Sequence, residues 1–595
     1  MKNIIVNATL SVALLAGLNG CGDENTTQTA HLQNSAKTQT RTLAQRKQAF
    51  GQMINALSAY GLENNLTADT KEKAHYTLRV SNAHKAMGFV MSLADQNINM
   101  LEPQEQKEME EVLKDLSLGI DVDWTKYAAN MAKSVDVYYI DHNATGILKS
   151  LAEQKKLRAS LSFDEQDRLK QIDFNDLDET FTQEGTMTHL LFKGTQVVFT
   201  QPPAINSNSY AFKLKAPVFS LMTKTLDDNS TLTFGYKDIA CDISHKNAYL
   251  GKKSCTIPSL TVTSEGTVPF VAQIDHASYL YDISLHDKKV KSDLSFAIKS
   301  IEVSDMQKSA AKEYISLNDM KLHIVTDNID EALIKKFQAL SQSNNPDKQA
   351  LLKEIMHLAG ELYKNGMEID YTSFIKSVKG AFDDKAFVLT SYQSKGDALF
   401  DANISYEDKT EIKELSVTDK QTKAQVFLLK NMHFGYSIKD LYNVMPTLIE
   451  VGAAQDATTG MSPDIEKKMA ELGKQLTQNG LKISFDPVGF ETLQTRIKDQ
   501  KITLGKTDFR LQATLDPNTL TLDPNDPMSA MMLIPLLQAD GKLVLQNKDL
   551  QLLSKQLPPQ IIGMIMMFGK PVGDTLVYEL KFEKGHLLIN GQPMM

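Results

Sequence analysis

The chain has 595 residues, of which 42% are hydrophobic and 23% are charged. This composition excludes a chain that is mostly disordered or collagen-like, and the length corresponds to several domains of ordinary size. Because 64 Lys and Arg face 73 Asp and Glu, the net charge is −9, which argues against nucleic-acid binding, a function that normally needs a basic excess.

The N-terminal residues have the pattern of an exported, lipid-modified protein. Lys2 precedes an apolar stretch from 4 to 18, which suits a signal-peptide core and is too short to span a bilayer comfortably. The stretch ends in Leu18-Asn19-Gly20-Cys21, which resembles the lipobox of bacterial lipoprotein precursors; the alternative is an ordinary signal peptide beside a chance Cys. The resemblance implies that residues 1–20 are removed and that the lipidated Cys21 anchors the protein in a membrane.

The residues after the cysteine bear on which membrane that is. Gly22 follows Cys21, and by resemblance to lipoprotein sorting in enterobacteria a residue other than Asp permits transfer to the outer membrane. We therefore expect a lipid-anchored protein on the periplasmic side of the outer membrane, with the inner membrane as the alternative. Residues 24–42 are rich in Thr, Gln, Asn and Ala, so residues 21–45 are predicted to form the lipidated Cys and a flexible tether.

Two further cysteines remain if Cys21 carries lipid. Cys241 and Cys255 lie in strand-like runs on either side of a polar turn around Lys246. A cysteine pair in an oxidising compartment predicts a disulfide, which would join the two arms of a hairpin. The alternative is a metal site formed by Cys241, His245 and Cys255, which lacks a fourth ligand nearby.

A short motif that occurs three times predicts a repeated unit. Residues 119–127 and 366–374 share Gly, apolar, acidic, β-branched, Asp, aromatic, Thr and aromatic positions, and 480–485 repeat the first six with substitutions. Each copy follows an amphipathic helix that opens at a proline: Pro103, Pro346 and Pro463. The predicted unit is helix, Gly stop, strand, short helix and strand, and the short helices are predicted at 126–134, 373–382 and 490–498.

The segments between the copies are rich in strand-like sequence. Short alternating runs separated by turn residues occupy much of 190–326 and 387–434, which is typical of antiparallel sheet. We therefore predict an α+β fold of extended antiparallel β-sheets with amphipathic helices packed on one face, built from a diverged helix–strand–helix–strand repeat. The predicted regions after the tether are a helix-rich N-terminal repeat region, an antiparallel β region with the disulfide, and two further α+β repeats: 46–165, 166–330, 331–455 and 456–595.

The C-terminal residues form a predicted hairpin and resemble a known family. Tyr578, Leu580 and Phe582 alternate with polar residues, and a turn at Lys584-Gly585 leads into a second strand that ends at Asn590-Gly591. This stretch resembles the C-terminal signature of the YdgA-like family, large bacterial envelope proteins of unknown function. The resemblance implies a shared fold and brings no catalytic residues. Members of that family usually keep an uncleaved transmembrane helix where this chain has the lipobox pattern.

The sequence contains no recognisable enzyme motif. There is no Gly-x-Ser-x-Gly and no His-Glu-x-x-His, and Leu504-Gly505-Lys506-Thr507 lacks the upstream Gly of a phosphate-binding loop. The 12 His residues are scattered along the chain. We therefore expect no catalytic residue, no cofactor and no metal site.

The expected function is non-enzymatic binding or scaffolding in the cell envelope. The protein would hold an apolar ligand, such as a lipid, or another envelope component, and it would contact the membrane through its N-terminal lipid and bind no nucleic acid. The 25 Met residues fit either core packing or an adaptable apolar groove. The alternative is an envelope-acting hydrolase with a site assembled from scattered residues.

Overall fold

The computed structural model of the protein describes the following residues: 41–93, 103–114, 116–140, 154–183, 185–202, 209–247, 249–266, 269–305, 313–341, 348–454, 467–468, 479–497, 500–517, 528, 531–553 and 559–594. The predicted signal peptide, Cys21 and nearly all of the predicted tether lie outside them, as does most of the helix predicted after Pro463. Of the described residues, 63% are in strands and 19% in helices. The strands pair antiparallel, and each pairing joins neighbours along the chain or strands a short distance apart.

The predicted α+β fold with helices packed on one face is therefore wrong, because the protein is mostly antiparallel β-sheet. The prediction fails most clearly at 373–382, which was expected to be a short helix and forms the second half of the strand Met367–Phe382. Its apolar residues Ile375 and Val378 are three positions apart, as in a helix. The expected helix at 490–498 is likewise a strand, Thr492–Ile497. In the first motif copy, a short helix does follow the strand, at Trp124–Ala128.

The helices of the described residues are α1 Leu43–Ala56, α2 Ala83–Leu93, α3 Pro103–Lys114, α4 Trp124–Ala128, α5 Glu331–Ser341, α6 Lys348–Leu362, α7 Met445–Ala454, α8 Asn547–Leu553 and α9 Pro559–Phe568. Helix α1 begins where the Thr42 side chain accepts the Gln45 N–H and the Gln45 side chain accepts the Thr42 N–H, a reciprocal cap. The helices predicted to open near Pro103 and Pro346 are confirmed as α3 and α6. Within the described ranges, every helix is too short or too polar to cross a membrane.

The chain forms two compact units, which contain residues 1–269 with 278–282, and 270–277 with 283–595. The strands of the first unit are β1 Leu62–Asp69, β2 Lys73–Val80, β3 Ser117–Asp123, β4 Val135–Ile140, β5 Arg158–Phe163, β6 Leu169–Phe174, β7 Leu177–Gln183, β8 Thr186–Lys193, β9 Gln196–Gln201, β10 Tyr210–Thr225, β11 Thr231–His245 and β12 Gly251–Glu265. Strand β13, Phe270–His286, contributes residues to both units.

The first unit has a large core of buried apolar side chains. Strands β1 to β6 pair in chain order, β6 pairs with β9, and β10 pairs with β9 and β8 along its two halves before β11 and β12 follow. Phe50 of α1 meets the rings of Trp124 and Tyr127 edge-on at 5.7 and 5.6 Å, and all three side chains are fully buried. This aromatic group anchors α1 and α4 to the sheet, as expected for side chains that bury large apolar areas.

The strands of the second unit are β14 Lys289–Asp305, β15 Tyr314–Asp330, β16 Met367–Phe382, β17 Lys385–Phe400, β18 Asn403–Asp419, β19 Gln425–Tyr442, β20 Leu481–Phe490, β21 Thr492–Ile497, β22 Gln500–Leu504, β23 Thr507–Leu515, β24 Leu537–Gln546, β25 Lys570–Val572, β26 Thr575–Glu583, β27 His586–Ile589 and β28 Gln592–Pro593. Strands β14 to β19 pair in chain order. Strand β19 then pairs with β20 and β21, and the sheet continues through β23, β24, β26 and β27.

Helices α6 and α7 lie at one end of these long strands rather than on a face. The ring of Tyr363, just after α6, meets Phe400 at the end of β17 edge-on at 5.0 Å. The Asn443 amide, just before α7, donates to the carbonyls of Tyr363 and Asp401. Helices α6 and α7 therefore close the end of the sheet, whereas α8 packs its Leu550 against Leu576 and Tyr578 of β26.

The predicted C-terminal hairpin is confirmed as β26 and β27. Asn590, with φ +49, accepts the Glu579 N–H at 2.9 Å through its side-chain oxygen and donates its amide to the carbonyl oxygens of Phe568 and Val577. This one side chain thus joins the end of α9 to the hairpin. The Asn-Gly pair of the sequence signature has this structural role.

Candidate functional site

A line of irregular positions crosses the long strands of the second unit. Asp319, Ser391 and Asn431 have φ of +47, +50 and +47 in the middle of β15, β17 and β19. The positions that face them on β16 and β18 are Lys376 and Lys413, and regular pairing stops at this line and resumes on both sides. We call these five residues the crease.

The apolar alternation changes phase at the crease in every strand that it crosses. In β17, the apolar residues before Ser391 are Phe387 and Leu389, which are two positions apart. The next one, Tyr392, comes three positions after Leu389, so the period of two is interrupted by one residue. The same break occurs in neighbouring strands, where the nearest apolar residues on the two sides are again three apart: Ile298 and Ile301, Leu317 and Met320, Ile375 and Val378, Ile412 and Leu415, and Leu429 and Met432.

A residue in a helical conformation has a physical effect that explains this pattern. Strand residues alternate sides with a period of two, whereas a residue with helical dihedral angles puts two consecutive side chains on the same side, as in a β-bulge. Such a residue shifts the alternation of the side chains by one position. If the apolar pattern of the sequence is shifted by one position at the same point, all apolar side chains of the strand stay on the same side of the sheet. We call that side of β14 to β19 the apolar face, and the other side the polar face.

The side chains of the apolar face are less buried than those of a protein core. Among the described residues, the largest cluster of buried apolar side chains belongs to the first unit, and the clustered buried residues of the second unit are Leu550, Leu576 and Tyr578, outside β14 to β19. On the long strands most apolar side chains are half-buried, and the directly paired Val303 and Ile315 are 37% and 36% exposed. The face thus offers a long apolar surface that is partly open to solvent.

One polar cluster interrupts the apolar face. The Asp408 carboxylate is buried and accepts hydrogen bonds from the hydroxyls of Tyr371, Ser394 and Thr410, the last two at 3.1 and 3.2 Å. The Tyr371 ring lies across Gly396, where an added Cβ would stand 2.6 Å from it. Because these polar groups bind one another, the cluster satisfies itself and needs no outside partner.

Burial and hydrogen bonding shift the tyrosines of this cluster. Burial, followed by the hydrogen bond to Asp408, raises the pKa of Tyr371. The Tyr406 hydroxyl and burial raise the pKa of Tyr436 to about 12. These phenols therefore stay neutral at physiological pH and act as hydrogen-bond donors rather than as bases.

A cleft opens on the second unit where the polar face meets β20, β23 and β24. Its volume is about 870 Å³, and its charged lining consists of four cationic side chains and two carboxylates: Lys413, Lys506, Arg510, Lys542, Glu411 and Asp508. Two crease residues, Ser391 and Asn431, also line it. The rung formed by Gln393, Glu411 and His433 lines the cleft, and the next residues along the strands, Ser394, Thr410 and Phe434, point to the opposite side.

The ion pairs among the described residues leave two cations of the cleft, Lys413 and Lys542, and one carboxylate, Glu411, without a charged partner. Asp508 lies 3.4 Å from both the Lys506 ammonium and the His433 ring, and the Arg510 guanidinium lies 3.1 Å from the carboxylate of Asp486. Within the described part of the chain, neither Lys413 nor Lys542 forms an ion pair. The cleft therefore has a local excess of positive charge, although the net charge of the whole chain is −9.

Among the described residues that line the cleft, His433 and Asp508 form a pair, but Ser391 does not complete a triad with them. Ser391 on β17 lies at the same level as Asn431 on β19, two strands away. His433 is two residues further along β19. With a strand spacing of about 4.8 Å and a rise of about 3.3 Å per residue, the Cα atoms of Ser391 and His433 lie roughly 12 Å apart. The Ser391 hydroxyl thus cannot donate to the imidazole in this arrangement.

The other predicted site residues are placed as follows. Cys241 and Cys255 are direct partners on β11 and β12, which fits the predicted disulfide. His245 stacks on the Tyr210 ring at 4.6 Å, and among the described residues no group of His, Cys, Asp and Glu is arranged to hold a metal ion. Cys21 lies outside the described residues.

Sequence reasoning missed both the crease and the cleft. The crease leaves a local signal, since an apolar spacing of three in the middle of an alternating run marks each strand that it crosses. The cleft leaves none, because its charged residues lie on β18, on β23 and the turn before it, and on β24, which are far apart in the chain. Only the pairing of β18 to β24 brings them together.

Comparison with known proteins gives one match. Residues 156–380 match a family model described as bacterial protein of unknown function (DUF945). The matched segment includes the crease residues Asp319 and Lys376 and ends before the charged residues of the cleft and before the C-terminal hairpin. No curated protein and no solved structure matches the chain. Over that segment, the chain is similar to a bacterial family whose function is unknown.

Proposed function

We propose that this protein is a non-enzymatic binding protein of the bacterial cell envelope, anchored by a lipid on Cys21, that holds acyl chains on the apolar face of its second unit. The observation that carries the proposal is the half-exposed apolar surface of β14 to β19. Full burial of one large apolar side chain stabilises by about 1.5–3 kcal/mol, so covering several half-exposed ones would supply substantial binding energy.

The chemistry of the face favours acyl chains as the occupant. The polar groups of the Asp408 cluster on β16 to β18 bind one another. An occupant therefore needs no hydrogen-bonding groups of its own, and an acyl chain has none. A protein partner would instead bring backbone N–H and C=O groups that must find partners when they are buried.

The membrane anchor and the export route are supported by sequence. The Leu18 to Cys21 pattern resembles a lipobox, and two Cys at disulfide distance suit an oxidising compartment. Replacing Cys21 by Ser should release the protein from membranes and remove the mass of the attached lipid. If the variant still fractionates with membranes at an unchanged mass, the anchor is contradicted.

A pair of double variants tests the acyl-chain proposal. Val303→Lys with Ile315→Lys places two charges on the apolar face, and Ser304→Lys with Ser316→Lys places two on the polar face of the same strands. We expect the first pair to weaken binding of a fluorescent fatty acid at least tenfold and the second less than twofold. Mass spectrometry of lipids that copurify with the native protein should show acyl-containing species, which the first pair loses.

The hydrolase alternative makes a different prediction. It requires turnover of envelope material that His433→Ala abolishes, because the His433–Asp508 pair is the acid–base group of the cleft. We expect no such turnover and retained fatty-acid binding in His433→Ala. Turnover in a preparation that holds no lipid would contradict the binding proposal.

A further inference from the structure

We infer that the cleft between the crease and β24 is a binding site for a phosphate-bearing anion. Its lining has four cationic side chains, Lys413, Lys506, Arg510 and Lys542, against the carboxylates of Glu411 and Asp508. This local excess of positive charge stands against a net charge of −9 for the whole chain. A cleft whose lining carries an excess of one sign of charge concentrates ligands of the opposite sign.

The hydrogen-bond donors of the cleft are available to a ligand. Lys413 and Lys542 have no ion-pair partner among the described residues, so their ammonium groups are free to donate. Arg510 donates its Nε–H to Asp486 at 3.1 Å, which leaves the outer N–H groups of the guanidinium for another acceptor. Arg510 and Lys542 are also direct cross-strand partners. Like charges that face each other directly across a sheet repel; Asp486 compensates Arg510, and Lys542 is left for an outside anion.

A phosphate group suits this set of donors better than a single carboxylate. Arginine recognises the oxygens of a phosphate through parallel N–H donors, and lysine binds phosphate as a point charge. Lys413 on β18 and Lys542 on β24 are separated by the strands between them, so both can be engaged by a ligand with more than one phosphate. The crease shapes this site, since Ser391 and Asn431 line it on either side of Lys413.

The charged side chains of the site lie on the other side of the sheet from the acyl-binding face, and the cleft reaches only Ile412 and Met432 of that face. Glu411 lines the cleft, whereas its neighbour Thr410 belongs to the Asp408 cluster on the other side of β18. The anion and the acyl chains of the proposed function are thus different ligands, and either proposal can fail without the other.

Titration calorimetry of the mature full-length protein with inorganic tripolyphosphate tests the site. We expect Lys413→Gln with Lys542→Gln to weaken binding at least tenfold. The control is Lys395→Gln with Lys409→Gln, a directly paired couple on β17 and β18 that lies on the polar face but outside the cleft and should weaken binding less than twofold. Circular dichroism of both double variants should match that of the unchanged protein.

Three results would overturn the inference. The first is that the unchanged protein does not bind tripolyphosphate measurably. The second is that both double variants lose the same affinity, which would indicate diffuse surface charge. The third is that a tricarboxylate of similar charge binds as tightly as tripolyphosphate. The source of the phosphate follows from competition. Displacement of tripolyphosphate by phosphatidylglycerol vesicles, but not by phosphatidylcholine vesicles, supports the site with a lipid headgroup as ligand; no displacement by either supports it with a soluble phosphate compound.

Discussion

The ammonium group of Lys376 lies 3.3 Å from the carboxylate of Asp319, across the point where β15 and β16 stop pairing regularly. Both side chains are well exposed, so the ion pair contributes about 0–1 kcal/mol. Asp319 is left-handed, with φ +47, and Asp and Asn tolerate this conformation better than other non-glycine residues. Backbone preference, more than the ion pair, therefore accounts for the residue at this position.

A substitution at Asp319 should reveal that preference. Asp319→Val should destabilise β15 by about 1–2 kcal/mol because a β-branched residue is strained at positive φ, whereas Asp319→Gly should be nearly neutral. Hydrogen exchange of the amides in β15 measures the effect within the second unit. Lys321→Val, two residues along the same strand, should change their protection little. Equal effects of the two valines would contradict the role assigned to the crease.

Arg46 should be essential to the first unit. Its buried guanidinium binds the Asp167 carboxylate at 2.6 Å and the Ala128 carbonyl at 3.0 Å, and it lies 4.5 Å from the centre of the Tyr127 ring. In Arg46→Met, the buried Asp167 keeps only the more exposed Arg41 as a cationic partner. We therefore expect the free energy of unfolding of the first unit to fall by about 3 kcal/mol.

Fluorescence makes this change easy to follow. Trp124 is the single Trp of the chain and packs in the same aromatic cluster, so its emission during urea unfolding reports the first unit. Lys47→Ala provides the control, since Lys47 also approaches the Trp124 ring but is more exposed; it should cost less than about 1 kcal/mol. If Arg46→Met lowers the free energy of unfolding by no more than Lys47→Ala does, the prediction is contradicted.

Gly396 should be intolerant of a side chain. A Cβ there would stand 2.6 Å from the Tyr371 ring and 2.7 Å from the Glu407 carbonyl oxygen. Gly396→Ala should therefore displace Tyr371 from Asp408 and cost about 1–3 kcal/mol through overpacking. The pKa of Tyr371, raised by burial and by Asp408, should then fall toward its ordinary value. Gly541→Ala, whose nearest contact would be 3.2 Å, should have the smaller effect.

The tyrosines of the Asp408 cluster predict a loss of stability at high pH. Tyr436 has its pKa raised from 10.0 to about 12 in the folded protein. The folded state keeps this proton where the unfolded chain has lost it, so the stabilisation is complete below pH 10 and is lost as the pH rises to 12. Tyr436→Phe should reduce that loss and remove the component of the tyrosinate absorbance that titrates near pH 12. An unchanged titration curve would contradict the assignment.

The cysteine pair should stabilise the first unit. A disulfide that closes a loop of about 15 residues contributes roughly 3 kcal/mol in the chain-entropy model. Cys241→Ala with Cys255→Ala should lower the urea midpoint followed by Trp124 accordingly, with an unchanged spectrum of the folded state. Reaction of both native sulfurs with a thiol reagent, in protein purified from an oxidising compartment, would show that the bond is not formed.

Much of the strand layout could be predicted from alternation, but the fold class could not. The run at Thr231–Cys241 and the hairpin at Lys584-Gly585 have one exposed side and one apolar side, and both are found as predicted. The segment from 373 to 382 misleads because its phase change at Lys376 gives an apolar spacing of three, which is also the spacing of a helix. The cleft depends on pairings between distant strands, which no local pattern encodes.

The crease also determines how these strands respond to length changes. A residue inserted between the crease and one end of β17 would turn the side chains of that half-strand over, while the half beyond Ser391 would keep its orientation. Each long strand of the second unit thus behaves as two short ones that are counted independently from the middle. Loops at the strand ends can change length freely, whereas the distance of each apolar residue from the left-handed position is fixed.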